Sequence, residues 1–495
     1  MYLIGYDIGS SSIKAALIDQ QTQKQIALEK YPNLEMDIIS RQASWAEQHP
    51  EIWWDNLCLA TKALIQKNNI DANEIKSIGI SYQMHGLVIV DKEQNVIRPS
   101  IIWCDSRAVQ IGNQAFNNIG EDYCMSHYLN SPGNFTASKL KWVKDHEPER
   151  YEKIHKFMLP GDYIAMKLSG KINTTINGLS EGILWDFKED QIAQSLLDYY
   201  GISSELIPEI VGAFDIQSEL SLEASQATGL KPGTLISYRA GDQPNNALSL
   251  GVFKPGQVAA TGGTSGVVYG LVDQLAIDSK SRINSFAHPN HTSSNPSIGM
   301  LLCINGAGIQ YAWMKKQIAR DGVDYHDMER MISSIPIGSD GLRIIPFGNG
   351  AERMLNNSNP GAQINNLQFN RHTRAHFYRA ALEGIAFSFV YGCKILNNIG
   401  LSMSTIKVGN DNLFQSRIFS RTIANLLNTP IEIVETTGAI GAAKASGLGT
   451  GAYKSMEECF TNNNVIGQIS PDDTNKTYNY AYELWYSDLG KLLTN

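Results

Sequence analysis

The sequence contains no stretch of about 18 unbroken apolar residues, which is the length that an α-helix needs to span a bilayer. It also lacks an excess of basic residues: 41 Lys and Arg face 49 Asp and Glu, giving a formal net charge of −8. Because phosphate binding requires a basic surface, nucleic acid is not expected as a partner. An acidic surface does not attract anionic membranes either, so we expect no membrane partner.

Cysteine is scarce, and the chain has no Cys-x-x-Cys pair. The six cysteines are far apart in the sequence, at positions Cys58, Cys104, Cys124, Cys303, Cys393 and Cys459. This spacing predicts reduced thiols in a cytoplasmic protein and neither a disulfide framework nor a zinc site. The first residues lack a basic segment followed by an apolar one, so no signal peptide is expected.

The length of 495 residues exceeds the ~250–300 at which a single hydrophobic core stops growing. Two or more domains are therefore expected. The hydrophobic fraction of 43% and the charged fraction of 18% are typical of a soluble globular enzyme.

The stretch 237–251 organises the chain around Asp242. A β-type segment precedes this residue, and a helix with Pro244 in its first turn follows it, where a missing N–H costs nothing. Asp242 is therefore expected at a strand-to-helix corner. Alone, such a residue is more often a structural cap, and the helix dipole is expected to keep its carboxylate ionised.

Two similar hairpins begin the two halves of the chain. Residues 2–19 form strand, turn and strand, with Asp7 at the mouth of the turn and the hydroxyls of Ser10, Ser11 and Ser12 beside it. Residues 257–271 repeat the pattern around a second turn of glycine and hydroxyl residues. Small residues let backbone N–H groups approach an anion, so both turns could hold phosphates. The repetition predicts a duplicated fold.

Candidate ligand contacts follow two further strands of the first half. Gln83, Met84 and His85 follow the strand 75–81. Trp103 and Asp105 lie at the end of a second strand. Residues at strand ends usually face a cleft in an α/β domain. The alternative for Asp105 is a weak surface ion pair with Arg107. Small and polar residues between 174 and 185 predict loops that line the cleft.

In the second half, glycine-rich turns open two helices. Gly306 and Gln310 lie at the start of one, and Gly409 with Asn410 follows a later strand. A strand, a glycine turn and a helix commonly place N–H donors at an anion or beside a purine.

The predicted fold class is therefore α/β, with two duplicated ribonuclease-H-like domains of the actin-like ATPase type and an interdomain cleft. We place the N-terminal domain at 1–246 and the C-terminal domain at 247–495. The candidate contacts at the strand ends belong to the first domain, and the glycine turns that open helices belong to the second.

An ordered set of motifs resembles the FGGY family of carbohydrate kinases over nearly the whole chain. The matching pieces are Asp7-Ile-Gly-Ser, Gln83-Met-His-Gly, Trp103-x-Asp-x-Arg, Phe135-Thr-Ala-x-Lys-Leu-x-Trp, Gly241-Asp242, Gly263-Thr-Ser-Gly, Gly306-Ala-Gly-Ile-Gln, Glu352-Arg353 and Gly438-Ala-Ile-Gly-Ala-Ala. Each motif is weak alone, but their order is specific to the family.

The resemblance implies ATP-dependent phosphorylation of a sugar with Mg²⁺, which prefers few carboxylates plus phosphate oxygens and water. Asp242 matches the catalytic base and Asp7 the carboxylate near the metal and the transferred group, so both are candidate metal ligands. The candidate sugar contacts are Gln83, Met84, His85, Trp103, Asp105, Asp242 and Gln243. The candidate nucleotide contacts are Ser10, Ser11, Ser12, Gly263, Thr264, Gly306, Gln310, Gly409 and Asn410. A homodimer is common among similar enzymes.

The resemblance favours D-xylulose, phosphorylated to D-xylulose 5-phosphate, because the glycerol-type members carry an Arg-Glu pair where Met84 and His85 stand. Ribulose, gluconate, fuculose and glycerol remain alternative substrates, and a non-enzymatic actin-like ATP switch is the alternative function. The chain departs from the family at three places. Tyr82 stands where glycine is common, and its ring is expected to narrow the sugar pocket. Met354 and Leu355 stand where Thr-Pro is usual, and the segment 409–416 replaces a glycine-rich one.

Overall fold

The computed structural model describes residues 1–460 and 464–494, and two mixed β-sheets form its framework. The first sheet has the strand order β5-β6-β4-β1-β2-β3. Its strands are β1 (Tyr2–Ile8), β2 (Ile13–Asp19), β3 (Gln25–Tyr31), β4 (Ile75–Tyr82), β5 (Ser218–Glu219) and β6 (Leu235–Gly241). The second sheet has the order β9-β10-β8-β7-β11-β12-β13. Its strands are β7 (Gln257–Gly262), β8 (Gly266–Val272), β9 (Asn284–Ala287), β10 (Ile298–Ile304), β11 (Thr405–Gly409), β12 (Ile431–Val434) and β13 (Val465–Ile469).

The two sheets share one topology. In the first, β1 and β2 form an antiparallel hairpin, β3 continues it, and β4 and β6 run parallel to β1 on its other side. In the second, β7 and β8 form the hairpin, β10 continues it, and β11 and β12 run parallel to β7. The predicted α/β class and the duplication of the two halves are confirmed.

Helices cover both sheets. They are α1 (Pro50–Lys67), α2 (Val109–Ile119), α3 (Glu121–Tyr128), α4 (Thr136–His146), α5 (Pro148–Tyr151), α6 (Pro160–Ser169), α7 (Ile176–Glu181), α8 (Gln194–Tyr200), α9 (Leu222–Thr228), α10 (Asp242–Ser249), α11 (Gly308–Gln317), α12 (Tyr325–Ile332), α13 (Arg374–Asn398), α14 (Arg417–Leu427), α15 (Gly438–Gly449), α16 (Met456–Phe460) and α17 (Asn475–Thr494). Within the described ranges, no helix is both long and apolar enough to cross a membrane.

Helix α1 shows why these segments fold as they do. Pro50 occupies its first turn, where no N–H is needed, and Trp53, Leu57 and Leu64 recur on one face at helical spacing. All three are fully buried against the first sheet. Each such side chain contributes about 1.5–3 kcal/mol of transfer free energy, which exceeds what helix propensity alone supplies.

Helix α15, from the second half of the chain, packs on the first sheet. A Cβ atom at Gly5 would overlap the carbonyl oxygen of Ala439, and one at Gly79 would overlap that of Ala442. Glycine is therefore needed at both positions for the helix to approach the strands. The hydroxyls of Ser77 and Ser446 hydrogen-bond across the same contact at 2.7 Å.

Helix α10 connects the two halves. It begins directly after β6 and packs against α15, so helices from both halves lie between the sheets. The proposed domain boundary between residues 246 and 247 falls inside this helix.

Candidate active site

Three parallel strands of the first sheet end at the same level. Ile8 of β1 and Gly241 of β6 both pair with Tyr82 of β4. Three groups therefore reach one edge of the sheet: Asp7, Asp242 and the segment after Tyr82. This is the carboxyl edge, at which α/β proteins bind ligands. The structure thus brings together three groups of predicted site residues.

Asp7 lies between the two domains. Its carboxylate forms an ion pair with Lys14 at 3.2 Å and accepts a hydrogen bond from Ser81 Oγ at 3.3 Å. A Cβ atom at Gly438 would lie 3.2 Å from Asp7 Cγ, so the N-terminus of α15 faces this carboxylate. The positive end of the helix dipole stabilises a negative charge there.

Asp242 is the first residue of α10, as predicted for a strand-to-helix corner. Burial and the charge of Asp7 raise its pKa from 3.8 to about 7, although the Gln243 amide and Lys14 act in the opposite direction. The expectation of a fully ionised carboxylate is therefore wrong, because these two effects outweigh the helix terminus. A carboxyl group with this pKa is suited to accept a proton near neutral pH.

Gln83, Met84 and His85 follow β4 without regular structure. Gln83 is 2% exposed, and within the described residues neither atom of its side-chain amide has a hydrogen-bond partner. Met84 is 3% exposed, and its Sδ would lie 3.2 Å from a Cβ at Gly241. Buried amides are usually paired, so the Gln83 side chain is a candidate to pair with a polar ligand group.

His85 adopts a left-handed backbone conformation with φ of 61°. Its Nδ1 lies 2.9 Å from the carbonyl oxygen of Glu181, and since a carbonyl only accepts, Nδ1 carries the proton and Nε2 is an acceptor. Burial and the charge of Lys139 lower the pKa of His85 to about 3. The ring is therefore neutral at physiological pH.

Glu181 is a site residue that sequence reasoning missed. The predicted loop region 174–185 contains helix α7, and Glu181 is its last residue, with 1% exposure. Its Oε2 accepts a hydrogen bond from the His85 amide at 3.3 Å. Burial, with Asp242 nearby, raises the pKa of Glu181 well above its usual range. An acidic residue in an otherwise small and apolar stretch was the signal in the sequence.

Tyr82 does not narrow the pocket in the expected way. It is fully buried, and its ring fills the space above Gly161, where a Cβ would overlap it. Its hydroxyl lies beside the Glu181 carboxyl. The ring thus supports the residues of the site from behind.

Trp103 and Asp105 occupy different surroundings. Trp103 is 53% exposed, and its Nε1 donates to Ser10 Oγ at 3.3 Å. Asp105 is fully buried and accepts from Arg107 Nη2 at 2.7 Å and from the Ala46 amide at 2.6 Å. The alternative of a surface ion pair is therefore wrong, because the Asp105–Arg107 pair lies in the protein interior. A sugar hydroxyl would have to compete with these donors for Asp105.

The turn after β1 is closed by the Gly9 amide, which donates to the Ser12 carbonyl at 3.1 Å. Ser11 is exposed at this turn, whereas Ser12 is 5% exposed. Ser10 connects the turn to Trp103. The turn that is predicted to hold phosphate therefore lies next to a side chain that is predicted to contact the sugar.

A cavity of about 740 Å³ lies in the second domain, within the size range of small-molecule sites. It is lined by Gly262, Gly263, Thr264, Gly308, Ile309, Tyr311, Ala312, Tyr325, His326, Glu329, Asn412, Leu413, Gln415 and Ser416. The start of α11 is attached to the β7–β8 turn, since the Gly308 amide donates to Gly263 O at 2.9 Å. Two predicted nucleotide contacts, Gly263 and Thr264, therefore line this cavity.

The other predicted nucleotide contacts of the second domain, Gly306, Gln310, Gly409 and Asn410, do not line this cavity. Gly306 has φ of 83°, and a Cβ there would overlap Pro346 O, so it shapes the turn before α11. Gln310 has a side-chain oxygen without a partner among the described residues. Gly409 ends β11, and the Asn410 carbonyl accepts from Gln415 Nε2 at 3.3 Å. The residues of this segment that line the cavity are Asn412, Leu413, Gln415 and Ser416.

The second domain also reaches the first-domain site through β9. Phe286 packs against His85 with ring centroids 5.3 Å apart, and the Ala287 amide donates to Ser180 Oγ at 2.8 Å. Phe135 packs against His85 at 4.8 Å and against Phe286 at 5.9 Å, so the three rings form one cluster. The predicted cleft is therefore enclosed by both halves at this point.

Comparisons with known proteins find the same protein family in both halves of the chain. The FGGY family of carbohydrate kinases matches through its N-terminal domain at residues 2–249 and its C-terminal domain at residues 258–449. A xylulose kinase of Bacillus subtilis is 29% identical over 471 residues, covering 92% of this chain and 90% of the relative. An L-xylulose/3-keto-L-gulonate kinase of Escherichia coli is 27% identical over 467 residues, covering 92% of this chain and 90% of the relative.

Solved structures show the same fold. The xylulose kinase from Rhodospirillum rubrum superposes with a TM-score of 0.89 at 23% identity, covering 100% of both chains. The gluconate kinase from Lactobacillus acidophilus reaches 0.88 at 22% identity, covering 99% of this chain and 98% of the other. The glycerol kinase from Plasmodium falciparum, solved with ADP, reaches 0.89 at 19% identity, with 99% and 98% covered.

Proposed function

Because the chain belongs to the FGGY family of carbohydrate kinases, we propose that this sugar phosphotransferase moves the terminal phosphoryl group of ATP to the C5 hydroxyl of D-xylulose. The observation that carries the proposal is the common level of the three strand ends, at which Asp7, the Gln83–His85 segment and Asp242 meet. The xylulose kinases among the relatives and structural neighbours support this sugar.

Asp242 acts as the general base in this proposal. It takes the proton of the sugar hydroxyl while that oxygen attacks the terminal phosphorus of ATP, and ADP leaves. Phosphoryl transfer has a loose transition state, so a carboxylate that orients the attacking oxygen contributes through position more than through basicity. Its pKa of about 7 allows it to hold the proton and release it to solvent afterwards.

The sugar binds along the Gln83–His85 segment. The unpartnered amide of Gln83 offers a donor and an acceptor to hydroxyl groups. Neutral His85 adds an acceptor through Nε2, and Met84 supplies an apolar surface. In the proposal, Gln243 contributes a further hydroxyl contact and Trp103 an exposed wall of the pocket.

The nucleotide binds in the cavity of the second domain, with its phosphates directed towards the β1–β2 turn. Gly263 and Thr264 line this cavity beside the N-terminus of α11, where the positive end of the helix dipole favours an anion. Gly306, Gln310, Gly409 and Asn410 shape its surroundings. The Ser10–Ser12 hydroxyls would meet the terminal phosphates from the other domain.

Asp7 and Asp242 fit a Mg²⁺ ion. The charge of Asp7 raises the pKa of Asp242, so the two carboxylates repel each other, and a cation bound by both would relieve this repulsion. Two carboxylates leave coordination positions for water and phosphate oxygens, as Mg²⁺ prefers. When bound, Mg²⁺ would neutralise phosphate charge.

The test is a coupled ADP-release assay of the purified full-length chain. The panel contains D-xylulose, L-xylulose, ribulose, fuculose, D-xylose, glycerol and D-gluconate. We expect the highest kcat/KM with D-xylulose. A higher kcat/KM with gluconate or glycerol would make that compound the proposed substrate. ATP turnover that no sugar increases would favour an ATP switch.

A further inference from the structure

The start of α4 carries the motif Phe135-Thr-Ala-x-Lys, whose side chains converge on the His85–Gly86 segment. The Phe135 ring packs against the His85 ring at 4.8 Å, and Thr136 Oγ1 lies 3.5 Å from the Gly86 carbonyl oxygen. Lys139 Nζ donates to the His85 carbonyl at 2.8 Å. Residues three and four positions apart share one face of a helix. This face of α4 therefore supports the segment that carries His85.

Lys139 connects the His85 segment to a second one. Its Nζ also donates to the Ile102 carbonyl at 3.1 Å. The same carbonyl accepts a hydrogen bond from the Asp105 amide at 3.2 Å, so it belongs to the turn that carries Trp103. One amine thus bridges the two segments on which the first-domain strands place their candidate sugar contacts.

The side chain of Lys139 is completely covered by protein, with 0% exposure. Lysine is almost never fully buried unless it is paired, because its charge loses its hydration. Burial lowers the pKa of Lys139 to about 7, although the charge of Asp105 acts in the opposite direction. Even a neutral amine keeps two N–H donors, one for each carbonyl. Because no part of the side chain is exposed, Lys139 acts on a ligand only through the segments that it holds.

His85 requires support of this kind. Its φ of 61° lies in the left-handed region, which is uncommon for a residue with a side chain. Such a conformation persists only when neighbouring groups hold it. Glu181 contacts the amide and the ring of His85, and Lys139 binds its carbonyl. The residue is therefore fixed on both sides of its Cα atom.

Resting on the proposed function, we propose that Lys139 is a positioning residue that holds the His85 segment and the Ile102–Asp105 turn in one fixed arrangement, so that both act on the same sugar. Without the amine, two buried carbonyls lose a donor and His85 is free to leave its left-handed conformation. Sugar affinity therefore depends on Lys139. The nucleotide cavity lies in the other domain and depends on it much less.

The test measures the KM for sugar and the KM for ATP by ADP release, with the sugar that the wild type accepts. The full-length wild type is compared with Lys139→Met, which keeps a long unbranched side chain but removes the donors. We expect the KM for sugar to rise about tenfold or more, because a hydrogen bond from a charged group is lost at each segment. The KM for ATP should change less than about threefold.

Lys144→Met is the matched control. Lys144 lies on the same helix, is half-buried and donates to the Tyr200 carbonyl at 3.3 Å, which belongs to neither sugar segment. Both KM values of this variant should equal those of the wild type. A rise in the sugar KM specific to Lys139→Met then reflects the segments that Lys139 joins.

A double variant separates positioning from a general loss of structure. A misfolded fraction lowers the apparent kcat but leaves the KM of the remaining enzyme unchanged. If Lys139 acts through His85, its loss matters less once the His85 ring is absent. The double variant His85→Ala, Lys139→Met should therefore have a sugar KM at least about threefold below the value given by multiplying the two single effects.

A wild-type sugar KM in Lys139→Met would overturn the positioning role. Equal rises in both KM values would overturn it as well, and so would single effects that multiply fully in the double variant. If Lys139→Met does not fold, Lys139→Gln takes its place, because its shorter side chain cannot reach both carbonyls. A wild type that phosphorylates no sugar defeats the proposed function and the positioning role together. An active wild type whose sugar KM survives the loss of Lys139 defeats only the positioning role.

Discussion

Asn130 of the first domain and Ser285 of the second exchange two hydrogen bonds. Asn130 Nδ2 donates to the Ser285 carbonyl at 2.6 Å, and the Ser285 amide donates to Asn130 Oδ1 at 3.0 Å. Both Asn130 and Ser285 are buried. This pair fixes β9, which carries Phe286, next to His85.

We expect Asn130→Ala to weaken closure of the sugar site. The backbone groups of Ser285 would lose their partners, which costs about 1–3 kcal/mol. The KM for sugar should therefore rise about tenfold with a smaller change in the KM for ATP, measured by ADP release. Asn118→Ala, which removes an exposed hydrogen bond to Tyr199, is the matched control. An unchanged sugar KM in Asn130→Ala would contradict the expected role.

Asp242→Asn is expected to abolish phosphoryl transfer while preserving most of the sugar affinity. The amide has the shape of the carboxyl group but cannot take the proton, and a general base contributes about 10²–10⁴-fold to the rate. Steady-state kcat and the calorimetric Kd for the sugar measure the two effects separately. Turnover close to that of the wild type would remove Asp242 from the role of base.

Activity is expected to decline as the pH falls below 7. Burial and Asp7 raise the pKa of Asp242 to about 7, and a protonated carboxyl cannot accept the hydroxyl proton. The acidic side of the kcat/KM profile should therefore fall about tenfold per pH unit well below this value. Lys14 lowers the pKa of Asp242, so Lys14→Met should move the profile to higher pH. A shift of the profile to lower pH would exclude this assignment.

His85→Ala should weaken sugar binding more than nucleotide binding. The substitution removes the Nε2 acceptor and the ring that packs against Phe135 and Phe286. We expect the KM for sugar to rise about tenfold or more and the KM for ATP to stay nearly constant. His155→Ala, at an exposed position, serves as the control. Equal changes in both KM values would count against a sugar contact.

Gly5→Ala is expected to destabilise the protein. The added methyl group would overlap the Ala439 carbonyl of α15, and overpacking of this kind costs about 1–3 kcal/mol. The melting temperature by calorimetry should fall accordingly. Gly490→Ala is the matched control, because a Cβ there meets no atom within 4 Å and alanine favours the helix. A melting temperature unchanged by Gly5→Ala would show that α15 can move away without cost.

The sequence predicted the parts of the site that local patterns determine. The two hairpins and the strand-to-helix corner at Asp242 follow from alternating apolar residues, glycine turns and Pro244, so the topology and the positions of Asp7 and Asp242 could be anticipated. These signals involve neighbours in the chain and need no knowledge of tertiary contacts.

Features that depend on distant segments could not be read in this way. The pKa of Asp242 depends on Asp7, more than two hundred positions away in the printed sequence, and on burial. Glu181 joins the site because α7 packs next to β6. Asp105 is buried because Ala46 and Arg107 enclose it. The cavity residues 412–416 belong to a segment that departs from the usual family pattern.

The packing of α15 on the first sheet has a consequence for the order of events during synthesis. Leu3, Ala16, Ile18 and Tyr238 form one apolar cluster with α15, and this helix leaves the ribosome long after the strands that it covers. The first half therefore emerges with this face of its sheet uncovered, and the second half supplies the cover later.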